Sequence, residues 1–213
     1  MHGMNHIAPP ARIFFIVTIL WMLTLGTAEL IHGRQDLHIL INGYHWSFAD
    51  SFFRYLTHFG SGFMPLTLAV SLLFVKIRWA LFVGLANGLA SLIVQAAKHG
   101  FFSHMKRPTA IITEQLHLPP GIEFHAHNSF PSGHSATAFC VGMCLMLIAK
   151  GSKWALPAAI FFSLTAFSRV YLSQHFTGDI AVGSMIGTLC ALLGFSIVNR
   201  VNISSLDIGL LGK

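Results

Sequence analysis

Six stretches of this chain, residues 13–31, 58–75, 79–97, 132–149, 154–172 and 180–198, are almost uninterruptedly apolar, and only Glu29 and Arg169 are charged within them. A bilayer core of about 30 Å is crossed by about 20 apolar residues of helix. In hydrocarbon every backbone polar group must be satisfied within the structure, which leaves helices and closed barrels. No two-residue alternation is sustained anywhere, so the pattern predicts an all-α, integral membrane six-helix bundle and excludes a barrel. Only 9 % of residues are charged, against about 25 % in soluble domains. What lies between the stretches is too short for a separate soluble domain, and residues 1–213 read as a single membrane domain. Arg12 precedes the first stretch as it would a signal peptide, but the apolar character continues to Ile31 without a clear small-residue cleavage site, so it reads as an uncleaved first helix. Cys140, Cys144 and Cys190 all fall inside apolar stretches; an odd count so placed fits small core residues, not a disulfide framework or a zinc site.

The net charge of +6 comes from Lys and Arg dispersed in short loops with no basic run longer than two. That dispersal excludes a nucleic-acid surface and points to membrane topology and an anionic ligand. With the N- and C-termini in the cytoplasm, the inner loops hold Arg12, Lys76, Arg78, Lys150, Lys153, Arg200 and Lys213, with Asp207 as their one acid. Segments 32–57 and 99–131 are then long extracytoplasmic connections. Tyr44, Trp46, Phe48, Phe52, Phe53 and Tyr55 stand among polar residues there and predict an interfacial helix near 42–57, with a simple anchoring belt as the other reading. Gly84/Gly88 and Gly183/Gly187 are small-residue pairs at helical spacing, which predicts close helix packing. Glu29 leaves two readings open: pairing with Arg34, or lining a lipid entrance. His125 and His127 read as a solvated pair, and no metal site is assigned.

Three polar clusters interrupt the apolar chain: Lys98 through Arg107-Pro108, Pro131-Ser132-Gly133-His134, and Ser168-Arg169 followed by His175 and Asp179. Helices alternate direction, so counting spans brings all three to the same outer face. Lys98, Arg107 and Arg169 would present one point charge and two planar forks to one volume, and guanidinium forks match phosphate oxygens. Ser132 stands where a helix N-cap belongs, which aims the free N–H groups of Gly133 and His134 at an anion. One imidazole can attack phosphorus while the other protonates the leaving oxygen. Asp179 follows His175 by four residues, and if that stretch is helical the carboxylate shares its face and can hold Nδ1–H.

These residues resemble the type 2 phosphatidic acid phosphatase (PAP2) family, which shares its catalytic core with vanadium haloperoxidases. The family pattern is K-x6-RP, PSGH and SR-x5-H-x3-D. PSGH is intact at 131–134, and Ser168, Arg169, His175 and Asp179 match the third motif at every spacing; the resemblance covers about 76–198. The first motif departs, because Lys98 and Arg107 are separated by eight residues. Nine steps of about 100° place them on opposite helix faces, so if both touch phosphate the helix must break, with Gly100 the natural point and Lys106 the alternative lysine.

The resemblance implies His175 as nucleophile forming a phosphohistidine, His134 as general acid and Asp179 as the group orienting His175. It implies Lys98, Arg107, Ser132, Gly133 and Arg169 as the phosphate cradle, with no metal and no cofactor. The expected activity is that of an integral membrane lipid phosphatase of a bacterial inner membrane, its site on the periplasmic side. The expected substrate is a lipid phosphate or diphosphate: undecaprenyl diphosphate, phosphatidylglycerol phosphate, phosphatidic acid or lipid A. The competing reading is a phospholipid transporter or scramblase whose pocket only binds phosphate, but binding alone does not require two imidazoles and an orienting acid. A haem or metal electron carrier would need facing histidines within the bilayer, and the spans contain almost none.

Overall fold

The computed structural model describes residues 8–149 and 151–212; Lys150 and Lys213 of the cytoplasmic charge count lie outside the described residues. The described chain is helical: α1 (Pro9–His32), α2 (Arg34–Gly43), α3 (Ser47–Leu56), α4 (Phe63–Leu73), α5 (Ile77–Ala96), α6 (Gly133–Ile148), α7 (Ala155–Tyr171) and α8 (Thr177–Asn199). Each of the six apolar stretches forms a helix, but the described residues hold eight helices, not six, because α2 and α3 fill the segment after the first span. α2 escapes an apolar-periodicity reading because two of the three residues it buries are polar: His38 and Asn42 lie inward beside Leu37. α3 is the amphipathic helix expected near 42–57. It buries Ala49, Phe53 and Leu56 and leaves Phe48 and Tyr55 exposed.

The crossings also differ from six equal spans. By length and composition Pro9–His32, Ile77–Phe101 and Thr177–Asn199 can cross a membrane, and a fourth crossing arises if Ser47–Gly60 and Phe63–Leu73, bent by 53°, form one broken span. α6 has 16 residues and α7 has 17, so each rises only about 25 Å. The second apolar stretch is interrupted where Thr57–Gly60 forms a 3₁₀ turn before α4. Leu20, Leu23 and Leu30 on α1, Phe63 and Leu66 on α4 and Leu92 on α5 all face outward, which is how a helix presents itself to lipid. The protein is a multi-pass membrane protein.

α8 is the central column and packs on α1, α5, α6 and α7. Phe14, Phe82, Phe139, Met143, Phe162 and the free cysteines fill the core around it. The closest crossing is α6 on α8: a Cβ at Gly183 would strike the carbonyl oxygen of Ser132, and one at Gly187 that of Ala136. The other glycine pair serves no such contact, since a Cβ at Gly84 or Gly88 meets nothing within 4 Å. At the other end Asp207 binds Lys76 (2.7 Å) and Arg78 (2.9 Å), and Arg78 also donates to the carbonyls of Val198, Val201 and Ile203.

Gly187→Ala drives a methyl into the α6 backbone, and overpacking of this kind costs about 1–3 kcal/mol. The thermal unfolding midpoint in detergent should fall for Gly187→Ala and hold or rise for Gly88→Ala, which gains helix propensity at an open site.

Candidate active site

Ser132 caps α6 as its sequence position implied. Its Oγ accepts from the Ser135 N–H at 3.3 Å and from the Ser135 hydroxyl at 2.9 Å. Gly133 and His134, the first residues of α6, therefore carry N–H groups with no intrahelical acceptor. The Ser132 N–H donates to the Asp179 carbonyl at 3.0 Å, which pins the start of α6 to the start of α8.

The relation between His175 and Asp179 differs from a shared helix face. α7 ends at Tyr171 and α8 begins at Thr177, so His175 sits in the turn between them and Asp179 is the third residue of α8. Asp179 Oδ2 accepts from the Phe176 N–H at 3.1 Å, as a helix-capping carboxylate does. The same oxygen lies 3.4 Å from His175 Nδ1 and 2.5 Å from the Ser129 hydroxyl that donates to it. One side chain thus caps the helix and faces the imidazole; the helical register breaks in the turn before Thr177, and Gly178 lies inside α8.

Asp179 has a further partner that sequence reasoning missed. Arg34 on α2 donates to Oδ1 at 2.6 Å, and its guanidinium lies 4.3 Å from the Phe176 ring centroid. Arg34 therefore does not pair with Glu29. Glu29 instead accepts from the Thr177 hydroxyl and the Gly178 N–H, each at 2.5 Å, and satisfies the first turn of α8 from the end of α1. α2 also braces the turn from behind: His38 Nε2 lies 3.1 Å from the Ser173 hydroxyl, and Asn42 donates to that hydroxyl at 3.2 Å. Nothing local in the sequence ties residues 34–43 to residues 173–179.

Asp179 lies within electrostatic reach of Lys98 and Arg107, but among the described residues none of Lys98, Arg107 and Arg169 forms a salt bridge. Arg107 is held by neutral acceptors, with Nε donating to the His127 carbonyl (3.0 Å) and Nη1 to the Gln174 carbonyl (3.1 Å). Arg169 donates to Thr57 Oγ1 (2.8 Å) and to Gln174 Oε1 (3.4 Å), and its buried Nε has no partner. Gln174, beside His175, is thus a spacer between the two guanidiniums, and no motif singled it out. The helix does break as the eight-residue spacing required: residues 97–101 form a wide π turn after α5, with the Phe102 N–H returning to the Ala97 carbonyl. Lys98 lies half-buried within electrostatic reach of Arg107, Arg169 and Asp179, while Lys106 is exposed. His134 is in turn within reach of Arg169, His175, Lys98 and Arg107. All eight residues singled out in the sequence belong to one neighbourhood.

Burial presses His175 down to about 3 despite the opposing pull of Asp179. Its imidazole is neutral at physiological pH, so with Nδ1 turned to the carboxylate the Nε2 lone pair is free. Burial likewise lowers His38 to about 4.

The chain matches the profile of the PAP2 superfamily over residues 79–203. It is 34 % identical over 74 residues to the bacitracin transport permease protein BcrC of Bacillus licheniformis and 35 % identical over 78 residues to the lipid A 1-phosphatase of Porphyromonas gingivalis. These alignments span 35 % and 36 % of this chain but only 36 % and 18 % of those proteins. The undecaprenyl-diphosphatase of Sulfolobus acidocaldarius is 21 % identical over 195 residues, covering 92 % of this chain and 93 % of that one. Among solved structures, LpxE of Aquifex aeolicus superposes with a TM-score of 0.66 at 27 % identity, covering 76 % of this chain and 94 % of that chain. The transmembrane PAP2-type phosphatidylglycerolphosphate phosphatase of Bacillus subtilis does so with a TM-score of 0.64 at 21 % identity over 89 % of this chain and 96 % of that chain.

The two lowered imidazoles carry a stability prediction. The unfolded chain takes up these protons near pH 6.5, whereas the folded chain does not until about 4 for His38 and about 3 for His175. Stability is therefore complete above about pH 7 and declines as pH falls below 6.5. Thermal unfolding in detergent should show this acid-side decline, and His38→Asn should make it shallower.

Proposed function

The chain belongs to the PAP2 superfamily, and from that premise we propose that it is a membrane lipid phosphatase that works through a phosphohistidine without a metal. The observation carrying this reading is the convergence of Lys98, Arg107 and Arg169, none of them in a salt bridge among the described residues, on two imidazoles, with Asp179 behind His175. Such a cluster is costly unless an anion enters it. The likeness to an undecaprenyl-diphosphatase and to lipid A and phosphatidylglycerolphosphate phosphatases supports a phosphorylated lipid as that anion.

In the proposed reaction the phosphoryl group lies between the two imidazoles, its oxygens held by Lys98, Arg107, Arg169 and the N–H groups of Gly133 and His134. His175 Nε2 forms a bond to phosphorus, and the bond from phosphorus to the lipid oxygen breaks with its electron pair remaining on that oxygen. His134 gives this oxygen a proton. Asp179 stabilises the positive charge that spreads over the His175 ring. Water then attacks the phosphohistidine, returning a proton to His134 and releasing inorganic phosphate. The three cations supply the charge neutralisation that other phosphatases take from metal ions. The excess of basic residues in the turns at the far end of the bundle supports a site on the extracytoplasmic side, with the termini in the cytoplasm.

Detergent-solubilised protein should release phosphate from a panel of lipid phosphates in EDTA as well as without it, and His175→Ala should lose activity by about 10³-fold or more. Loss of activity on chelation would reject the metal-free mechanism, and an active His175→Ala would reject the nucleophile. Arg34, which touches Asp179 and not the phosphoryl site, acts as a positioning residue. Arg34→Gln should lower kcat by about tenfold with KM nearly unchanged, corresponding to about 1.4 kcal/mol of lost orientation, and Arg34→Lys should recover part of it. A variant that raised KM instead would place Arg34 in substrate binding.

A further inference from the structure

Gln174 is 2 % exposed, and both ends of its side chain are engaged. Its Oε1 accepts from Arg107 Nη1 and from Arg169 Nη2, each at 3.4 Å, and its Nε2 donates to the Glu123 carbonyl at 3.1 Å. The main chain ties the same two arginines. The Gln174 N–H donates to the Arg169 carbonyl at 2.8 Å, and the Gln174 carbonyl accepts from Arg107 Nη1 at 3.1 Å. One residue thus connects both guanidiniums to the outer segment, and it immediately precedes His175.

The turn that carries Gln174 is held from both sides. Ser173 before it takes a left-handed backbone, φ 52°, a conformation that side-chain-bearing residues rarely adopt. Its hydroxyl meets His38 Nε2 at 3.1 Å and accepts from Asn42 at 3.2 Å, both on α2. The His175 N–H after it shares the Arg169 carbonyl at 3.1 Å. These bonds deliver the carboxamide to the gap between the guanidiniums.

The chemistry of that gap restricts what can stand in it. A guanidinium only donates and a carbonyl only accepts. The side chain must therefore offer an acceptor toward the arginines and a donor toward Glu123, and a carboxamide offers both without charge. A carboxylate of the same size would sit between two cations away from water, where their attraction far exceeds its value in solvent. It would match the two arginines with a permanent internal acid. The neutral side chain leaves them unmatched, which costs stability in the empty protein.

We propose that Gln174 is a positioning residue that sets the anion affinity of this site, an inference that takes phosphate as the ligand from the phosphatase reading above. It spaces Arg107 and Arg169 without neutralising them, so that a phosphate, and not a side chain, completes their charge. Stability and anion affinity are then exchanged at this one position. The isosteric acid should steady the empty protein and blunt its response to phosphate, whereas a residue that merely fills space would move neither in that way.

The test follows thermal unfolding of the detergent-solubilised protein as inorganic phosphate is titrated at constant ionic strength. A ligand that binds the folded chain raises the midpoint by mass action, and the wild type should rise. Gln174→Glu should start at or above the wild-type midpoint and bind phosphate about 100-fold more weakly, about tenfold for each arginine drawn off. Gln174→Met, which keeps the length and removes the acceptor, should start below the wild type and lose about tenfold in phosphate affinity. A Gln174→Glu protein that binds phosphate as the wild type does, or that starts well below it, overturns the proposal. So does a Gln174→Met protein that matches the wild type in both readings. Wild-type protein that phosphate stabilises but that releases none from lipid phosphates overturns the phosphatase reading and leaves this role of Gln174 standing. Wild-type protein indifferent to phosphate overturns both.

Discussion

A single carboxylate with no solvent contact organises this molecule. Asp179 is fully buried, and a charge in that position must be matched on every side or it destabilises the fold. It is matched by four groups from three separate parts of the chain: the Arg34 guanidinium on α2, the Ser129 hydroxyl at the end of the long outer segment, and, in the turn before its own helix, the Phe176 N–H and the adjacent His175. Its backbone carbonyl takes the Ser132 N–H and so fixes the entry to α6. Each of these links satisfies a polar group that would otherwise be stranded, and together they hold the imidazole, the capped helix start and the outer segment in one arrangement.

The opposite condition holds a short way off. Lys98, Arg107 and Arg169 repel one another, and the protein does not cancel them with acids. It holds the guanidiniums with neutral acceptors: Thr57, the His127 carbonyl, and Gln174 between the two arginines. That choice leaves the positive charge unmatched by an ion pair among the described residues, the condition under which the proposed anion would be drawn in. The separation of roles follows from the same geometry. Arg34 neutralises Asp179 from behind, so the carboxylate can face His175 without an ion pair to Lys98, Arg107 or Arg169 among the described residues.

The readable and unreadable parts of the site divide along a physical line. Ser132 as a cap, the convergence of three clusters on one face and the break after Lys98 all follow from local rules of helix geometry and from counting spans. The partners of Asp179, Glu29 and Arg169 do not. Arg34 and Asp179 are 145 residues apart, as Glu29 and Gly178 are by 149, and no periodicity or spacing expresses such a pairing. α2 was hidden for a related reason: its buried positions include His38 and Asn42, whose inward placement makes sense only once Ser173 is there to receive them. The two glycine pairs carry the same lesson, since identical spacing gives a backbone contact at Gly183 and Gly187 and open space at Gly84 and Gly88.

By itself the sequence determined that this chain is a helical membrane protein, which charged and imidazole side chains would share one neighbourhood, and that Ser132 caps a helix. These are consequences of hydrocarbon thickness, backbone hydrogen bonding and the 3.6-residue turn, all of which act over short stretches. Only the tertiary structure decided which acid answers which base, that a helix outside the apolar stretches braces the His175 turn, and that the Gln174 carboxamide stands between the Arg107 and Arg169 guanidiniums. Those outcomes depend on the packing of α8 against its neighbours, because burial makes an unmatched charge expensive and thereby selects the partner, however distant in sequence, that can match it.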